Sequence, residues 1–175
     1  MIEVRATNAA AVDRTLAGVG TKVPLAVMRA LNRTITSVQT AAVREMATDL
    51  NILQGFVRKG LTLERATLES QRARLYVNAK RIPLIAFRAR QTRQGVTYSL
   101  GRGRGLVRGA FVATMGTGHT GVFRRRTRRR LPIIELSGPS LGRVFAKNRR
   151  ARQDLAQDLM RKNLVHEWKF ATRGL

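Results

Sequence analysis

Val27, Leu31, Ile35, Val38, Ala42 and Met46 recur at steps of three and four. That spacing lines one face of an α-helix, whose repeat is about 3.6 residues. It predicts a long amphipathic helix over residues 23–49, roughly 40 Å long at about 1.5 Å per residue. Pro24 suits its first turn, where a missing N–H leaves no hydrogen bond unmade. Thr21 stands just upstream as a capping residue. Arg29, Arg33, Arg44 and Glu45 fall off the stripe. The stripe fits a purely intramolecular core and a helix shared with a neighbouring subunit equally well. Asn51 and Gln54 have the spacing of a capping box. They open a second, short helix through Phe56 and Val57 that stops at Gly60.

Beyond Gly60 the period changes to two. Leu61, Leu63 and Arg65 alternate with Thr62, Glu64 and Ala66, and Ala73, Leu75 and Val77 alternate with Arg74, Tyr76 and Asn78. These predict two strands joined by the polar segment Leu68–Arg72. Further strands are predicted at Leu84–Arg88, Val96–Leu100, Ala110–Met115 and Gly121–Arg125. Pro83 cannot donate to a ladder, so its strand lies at an edge or begins there. The last apolar pattern is helical: Leu141, Val144 and Phe145 follow Gly138-Pro139-Ser140, and Leu155, Leu159, Val165 and Trp168 continue it. Gly138 and Pro139 should set the exit from the last strand, with Ser140 near the helix start. The predicted fold is α+β. It has a long N-terminal helix, a central antiparallel sheet of about five or six strands with basic loops, and a C-terminal helix. One domain is expected over residues 1–175: helical over 1–60, strands and basic loops over 61–136, helical over 137–175.

Charge sharpens this picture. The 175 residues carry 34 Lys and Arg against 10 Asp and Glu, a net charge of +24. Residues 70–134 hold 16 basic side chains and no carboxylate, about two thirds of the excess. Of the 34 cations 28 are arginines, whose planar fork matches phosphates and carboxylates. Arg102, Arg104 and Arg108 lie in a glycine-rich stretch, Gly101 to Gly109, that predicts a mobile loop. Arg124, Arg125, Arg126, Arg128, Arg129 and Arg130 are broken only by Thr127. As a strand they would line both faces, so the run should leave the sheet as a hairpin tip. These nine arginines are the candidate contacts to DNA or another polyanion. With 9 aromatic residues in the whole chain, a stacking platform for single strands is not expected.

Catalytic chemistry is not written in the sequence. There is no cysteine, hence no disulfide framework, Cys-zinc site or thiol nucleophile. No P-loop or GxSxG motif occurs. His119 and His166 are far apart, and His119 sits in a glycine-rich turn. Asp154 and Asp158, one helical turn apart, read as a salt-bridged surface with Arg150, Arg161 and Lys162, not as a metal site. No cofactor is expected. The longest apolar run is about six residues, far short of the roughly 20 that span a bilayer, and no signal peptide is read. A soluble, cytoplasmic product that meets no membrane is expected.

Two segments carry a resemblance. Gly109-Ala110-Phe111-Val112-Ala113-Thr114-Met115, with Gly118-His119 and Gly121-Val122-Phe123-Arg124, is one. Leu131-Pro132-Ile133-Ile134-Glu135-Leu136-Ser137-Gly138-Pro139-Ser140 is the other. With Val23-Pro24, Ala30-Leu31-Asn32-Arg33 and Arg81-Ile82-Pro83-Leu84 upstream, the chain resembles the phage lambda minor tail protein Z family over about residues 20–147. The consecutive arginines at 124–130 depart from that pattern. The resemblance implies a structural virion protein, not an enzyme. It implies tail completion at the head-proximal end of a long tail, assembled in the bacterial cytoplasm. It further implies a homo-oligomeric ring, a hexamer by analogy with neck proteins. The partners implied are tail terminator or head connector proteins and the DNA in the channel. The alternatives are a free, sequence-nonspecific nucleic-acid-binding protein, which the charge alone supports, and a phage nuclease or hydrolase.

Overall fold

The apolar stripe becomes the buried face of helix α1 (Lys22–Leu50) in a computed structural model that describes residues 2–5 and 22–171. Val27 is 5% exposed, and Leu31, Ile35, Val38, Ala42 and Met46 are fully buried. Pro24 is the third helical residue, among the first four whose N–H has no partner inside the helix. Thr21, its expected cap, lies outside the described residues. Contacts along the chain divide it into two compact units, and α1 runs from one into the other at Ala42 and Val43.

The first unit comprises residues 1–42, 61–77 and 148–175. Its sheet is antiparallel, in the order β1 (Ile2–Arg5), β3 (Arg72–Val77), β2 (Leu61–Glu64). Ile2 pairs with Leu75, and Leu61 with Val77. A strand at residues 2–5 corrects the expectation that the first 60 residues are helical. Ala73 and Leu75 bury the inner side of β3. The last helix of the chain, α4 (Arg149–Ala171), completes this unit. Its buried side is Arg152, Ala156, Met160 and Glu167. Leu155 and Val165, which continue the helical apolar pattern, are 37% and 54% exposed. The helix turns a partly polar row inward because that row has partners. Asn163 Nδ2 donates to Thr34 Oγ1 at 2.9 Å, and Arg33 Nη1 lies 3.1 Å from Glu167 Oε1.

The second unit comprises residues 43–60 and 78–147. It begins with the end of α1, where Asn51 corrects its expected role. Asn51 adopts φ 55, its N–H reaches Thr48 O at 3.2 Å, and Ile52 N–H reaches Ala47 O at 3.1 Å. That pair of bonds is a Schellman C-cap, and asparagine tolerates the left-handed conformation it needs. The short helix α2 (Gln54–Lys59) starts instead after Leu53, with no side-chain cap, and ends at Gly60 as expected.

Three small sheets follow. β4 (Arg81–Pro83) pairs with β11 (Ser137–Ser140). β5 (Arg90–Thr92), β6 (Gly95–Leu100) and β7 (Gly103–Arg108) form one antiparallel meander. β8 (Ala110–Thr114), β9 (Thr120–Arg125) and β10 (Ile133–Glu135) form another. Among the described residues, four sheets of two or three strands stand in place of the single sheet of five or six. Residues 84–88, predicted as a strand, form a 3-10 turn (Leu84–Phe87) that Arg88 closes with φ 54. A short apolar run has no period that separates the two forms. The turn packs against β6, β9 and β11, and Phe87 is fully buried.

Residues 101–109, predicted as a mobile loop, are mostly strand. Gly101 takes φ +58 in a two-residue turn, and Leu100 then pairs with Gly103. Tyr98 pairs with Gly105 and lies where a Cβ at that position would stand. The aromatic ring covers the glycine, which is how a sheet keeps a residue with no side chain of its own. β11 corrects the expected helical start at residue 137. It leads into α3 (Leu141–Lys147), and Ser140 Oγ accepts from Arg143 N at 3.3 Å as a helix cap does. The C-terminal helix is two helices, since α3 and α4 are separated at Asn148.

Candidate nucleic-acid interface

All nine candidate arginines lie in the second unit, and all are exposed. Arg102 occupies the β6–β7 turn, and Arg104 and Arg108 stand on β7. Arg124 and Arg125, expected to leave the sheet with the rest of the run, end β9 and stay in the ladder with β10. Arg126, Arg128, Arg129 and Arg130 fill the connection from β9 to β10, as expected of a hairpin tip. Two bonds shape it: Arg126 N donates to Pro132 O at 3.1 Å, and Arg129 N donates to Thr127 Oγ1 at 3.2 Å. The Leu131–Pro132 peptide is cis. The candidates therefore fall on two different sheets, one group within a strand and its turn, the other at a hairpin tip.

Among the described residues none of the nine guanidinium groups forms an ion pair with a carboxylate. Glu135, the first carboxylate beyond the basic stretch, is engaged by His119 Nε2 at 2.9 Å. The His119 ring meets Phe123 edge-on at 6.5 Å, and Phe123 packs on Phe111 at 6.3 Å. Arg125 places its guanidinium carbon 5.6 Å from the Phe111 ring centre, within cation–π range. Histidine and glutamate here brace a hairpin.

The remaining residues of the resemblance hold the frame. Asn32 makes a two-point clamp in the first unit: its Nδ2 donates to Ala66 O at 3.0 Å, and its Oδ1 accepts from Ala66 N at 2.8 Å. Arg33 reaches Glu167, and Pro83 ends β4. Gly109 takes φ +69 between β7 and β8. Gly138 has no positive φ; its conformational freedom is not the point. A Cβ there would lie 2.5 Å from Phe87 Cε2. Gly138, Pro139, Leu84, Phe87 and Tyr98 line a cleft of about 170 Å³, which is apolar and brings no carboxylate, histidine or lysine together. Asp154 and Asp158 are exposed. No group of three or more His, Asp or Glu is placed to hold a metal among the described residues.

Sequence reasoning missed Arg90. It is exposed on β5 and pairs with Thr97, which pairs in turn with Leu106. The carboxylate-free stretch contains it, but only strand register shows what it stands beside.

The described residues form an α+β chain whose nine candidate arginines are exposed and, among the described residues, make no ion pair with a carboxylate. The family model described as prophage minor tail protein Z (GPZ) matches residues 9–175, and the chain belongs to that family. It is a structural protein of the phage tail. No curated protein and no solved structure matches it. Among the described residues no helix is long and apolar enough to cross a membrane.

Proposed function

We propose that this protein completes the tail at its head-proximal end, as a ring of six copies that joins the tail to the head connector and contacts the DNA in the channel. The observation that carries this reading is the set of nine exposed arginines with no carboxylate partner among the described residues in a chain of a minor tail family. A ring multiplies a charge of +24 per copy, and a compact assembly of that charge needs a polyanion to oppose its self-repulsion. DNA passing through a channel presents phosphates whatever its sequence, and arginines meet phosphates without reading bases. The structural role needs no reaction step. A cryo-EM map of the intact virion neck tests it. The expected result is a six-fold ring of this chain between tail tube and connector, with arginines toward the lumen. Density for the chain at the distal tail, or no density for it in the virion, would overturn the reading.

A further inference from the structure

The β5–β6–β7 meander has two unlike faces. Val96, Tyr98, Leu100, Gly105 and Val107 point to the inner side, where Val96 is fully buried and Tyr98 and Val107 line the apolar cleft. The opposite face is set by register: Arg90 pairs with Thr97 and Thr97 with Leu106, Ser99 pairs with Arg104, and Thr92 pairs with Gly95 and Gly95 with Arg108. Directly paired residues share a side of a sheet, so Arg90, Arg104 and Arg108 share this outer face. All three are exposed.

The spacing is fixed by the strands. Four residues of β7 separate Arg104 from Arg108, about 13 Å at roughly 3.3 Å per residue. That is the axial rise of about four base pairs. Arg90 stands two strands away, about 10 Å at roughly 4.8 Å per strand, and a DNA major groove is about 12 Å wide. Leu106 is the one large apolar side chain between them. The Thr92 and Thr97 hydroxyls donate to Gly95 O and Arg90 O, and Ser99 Oγ accepts from Asn51 Nδ2 at the edge of the face, so the three guanidinium groups are the polar contacts it offers. A protein-binding face of this size would be built on aromatic or aliphatic anchors. DNA-binding faces are polar and strongly positive.

We propose that this outer face is a preorganised phosphate platform for duplex DNA, formed by Arg90, Arg104 and Arg108 and separate from the Arg126–Arg130 hairpin tip. It rests on the reading that the protein meets DNA, and adds which surface does so and why it is blind to sequence. The side chains stand on hydrogen-bonded strands, so their spacing exists before DNA arrives. No aromatic ring lies on this face to stack on a base.

The test measures binding of the full chain to a mixed-sequence duplex across a salt series. The platform variant is R90Q/R104Q/R108Q. The control is R58Q/K59Q/K147Q, which removes the same charge from exposed sites in the same unit but off this face. The platform variant should lose about 2.7 from the magnitude of the log–log salt slope, about 0.9 per phosphate contact. The contrast in affinity between 50 and 200 mM salt should then shrink by about 40-fold, by the same rule. The control should keep its slope to within about one contact. R90K/R104K/R108K should keep the slope, which separates charge from fold. Absence of salt-dependent duplex binding by the parent would overturn the DNA reading and the platform together. A parent that binds, with the platform variant unchanged or the control equally weakened, would overturn the platform alone. Normal DNA binding with failure to enter tails would make the face a protein interface and also overturn it.

Discussion

Gly138 shows how a single position can be read correctly for the wrong reason. A Gly-Pro pair suggests a backbone conformation that other residues avoid, yet the structural constraint is the Phe87 ring, 2.5 Å from where a Cβ would sit. Phe87 is fully buried and borders the apolar cleft, so a new Cβ must push its ring against core neighbours or into that space. Overpacking a core of this kind costs about 1–3 kcal/mol. Gly138→Val should therefore fold less stably, and Gly138→Ala should show a smaller loss of the same kind. Trimming the neighbour should relieve it: Phe87→Leu combined with Gly138→Ala should be less destabilised than the two single changes summed. Urea unfolding of the four chains measures this. A Gly138→Ala chain as stable as the parent would show that the ring yields freely. His119 is a similar case, since a histidine in a glycine-rich turn proves to be a brace to Glu135 at 2.9 Å.

At the scale of elements, α1 is fastened to the segment after β2 by one side chain. Asn32 satisfies both the N–H and the C=O of Ala66, a residue only 4% exposed. Asn32→Ala leaves both groups without that partner, a loss of about 2 kcal/mol, or roughly 4–8 °C in melting temperature for a chain of this size. Asn32→Asp keeps the acceptor and loses the donor, and should fall between. Circular dichroism melts check the order, and an Asn32→Ala melt within a degree of the parent would refute the clamp. What the sequence revealed of the elements follows from how their buried faces are composed. α1 was legible because its buried stripe is almost wholly apolar and repeats at the helical period. α4 was legible as a helix, but its buried face was not, because Arg152 and Glu167 belong to it and an apolar pattern discards both. The β6–β7 hairpin was hidden because Gly105 reads as loop until Tyr98 is seen to cover it. The arginines of the candidate interface were visible in the charge profile. Their division between two sheets, and the place of Arg90 beside Thr97 and Leu106, depend on register, which no count of charges contains.

At the scale of the whole molecule, the hairpin tip is the second place where charge and partner can be told apart. Arg126, Arg128, Arg129 and Arg130 are exposed in the β9–β10 connection. Arg125 is excluded from the variant because it also packs on Phe111, so its loss would mix packing with charge. Replacing the four by glutamine keeps chain length and polarity, and exposed substitutions of this kind change stability by about 0.5 kcal/mol or less. If all four meet phosphates, the salt slope of duplex binding should drop in magnitude by about 3.6, while tails still take up the protein and infectivity falls through faulty DNA placement. If the tip instead docks on an acidic neighbouring ring, the same variant should bind DNA as the parent does and be missing from purified tails. In the proposed ring, like-charged tips would repel one another unless a counter-charge lay between them, and DNA or an acidic neighbour would supply it. Measuring duplex affinity and tail incorporation on this one variant assigns the tip to DNA or to protein. A variant normal in both would remove the tip from the interface altogether.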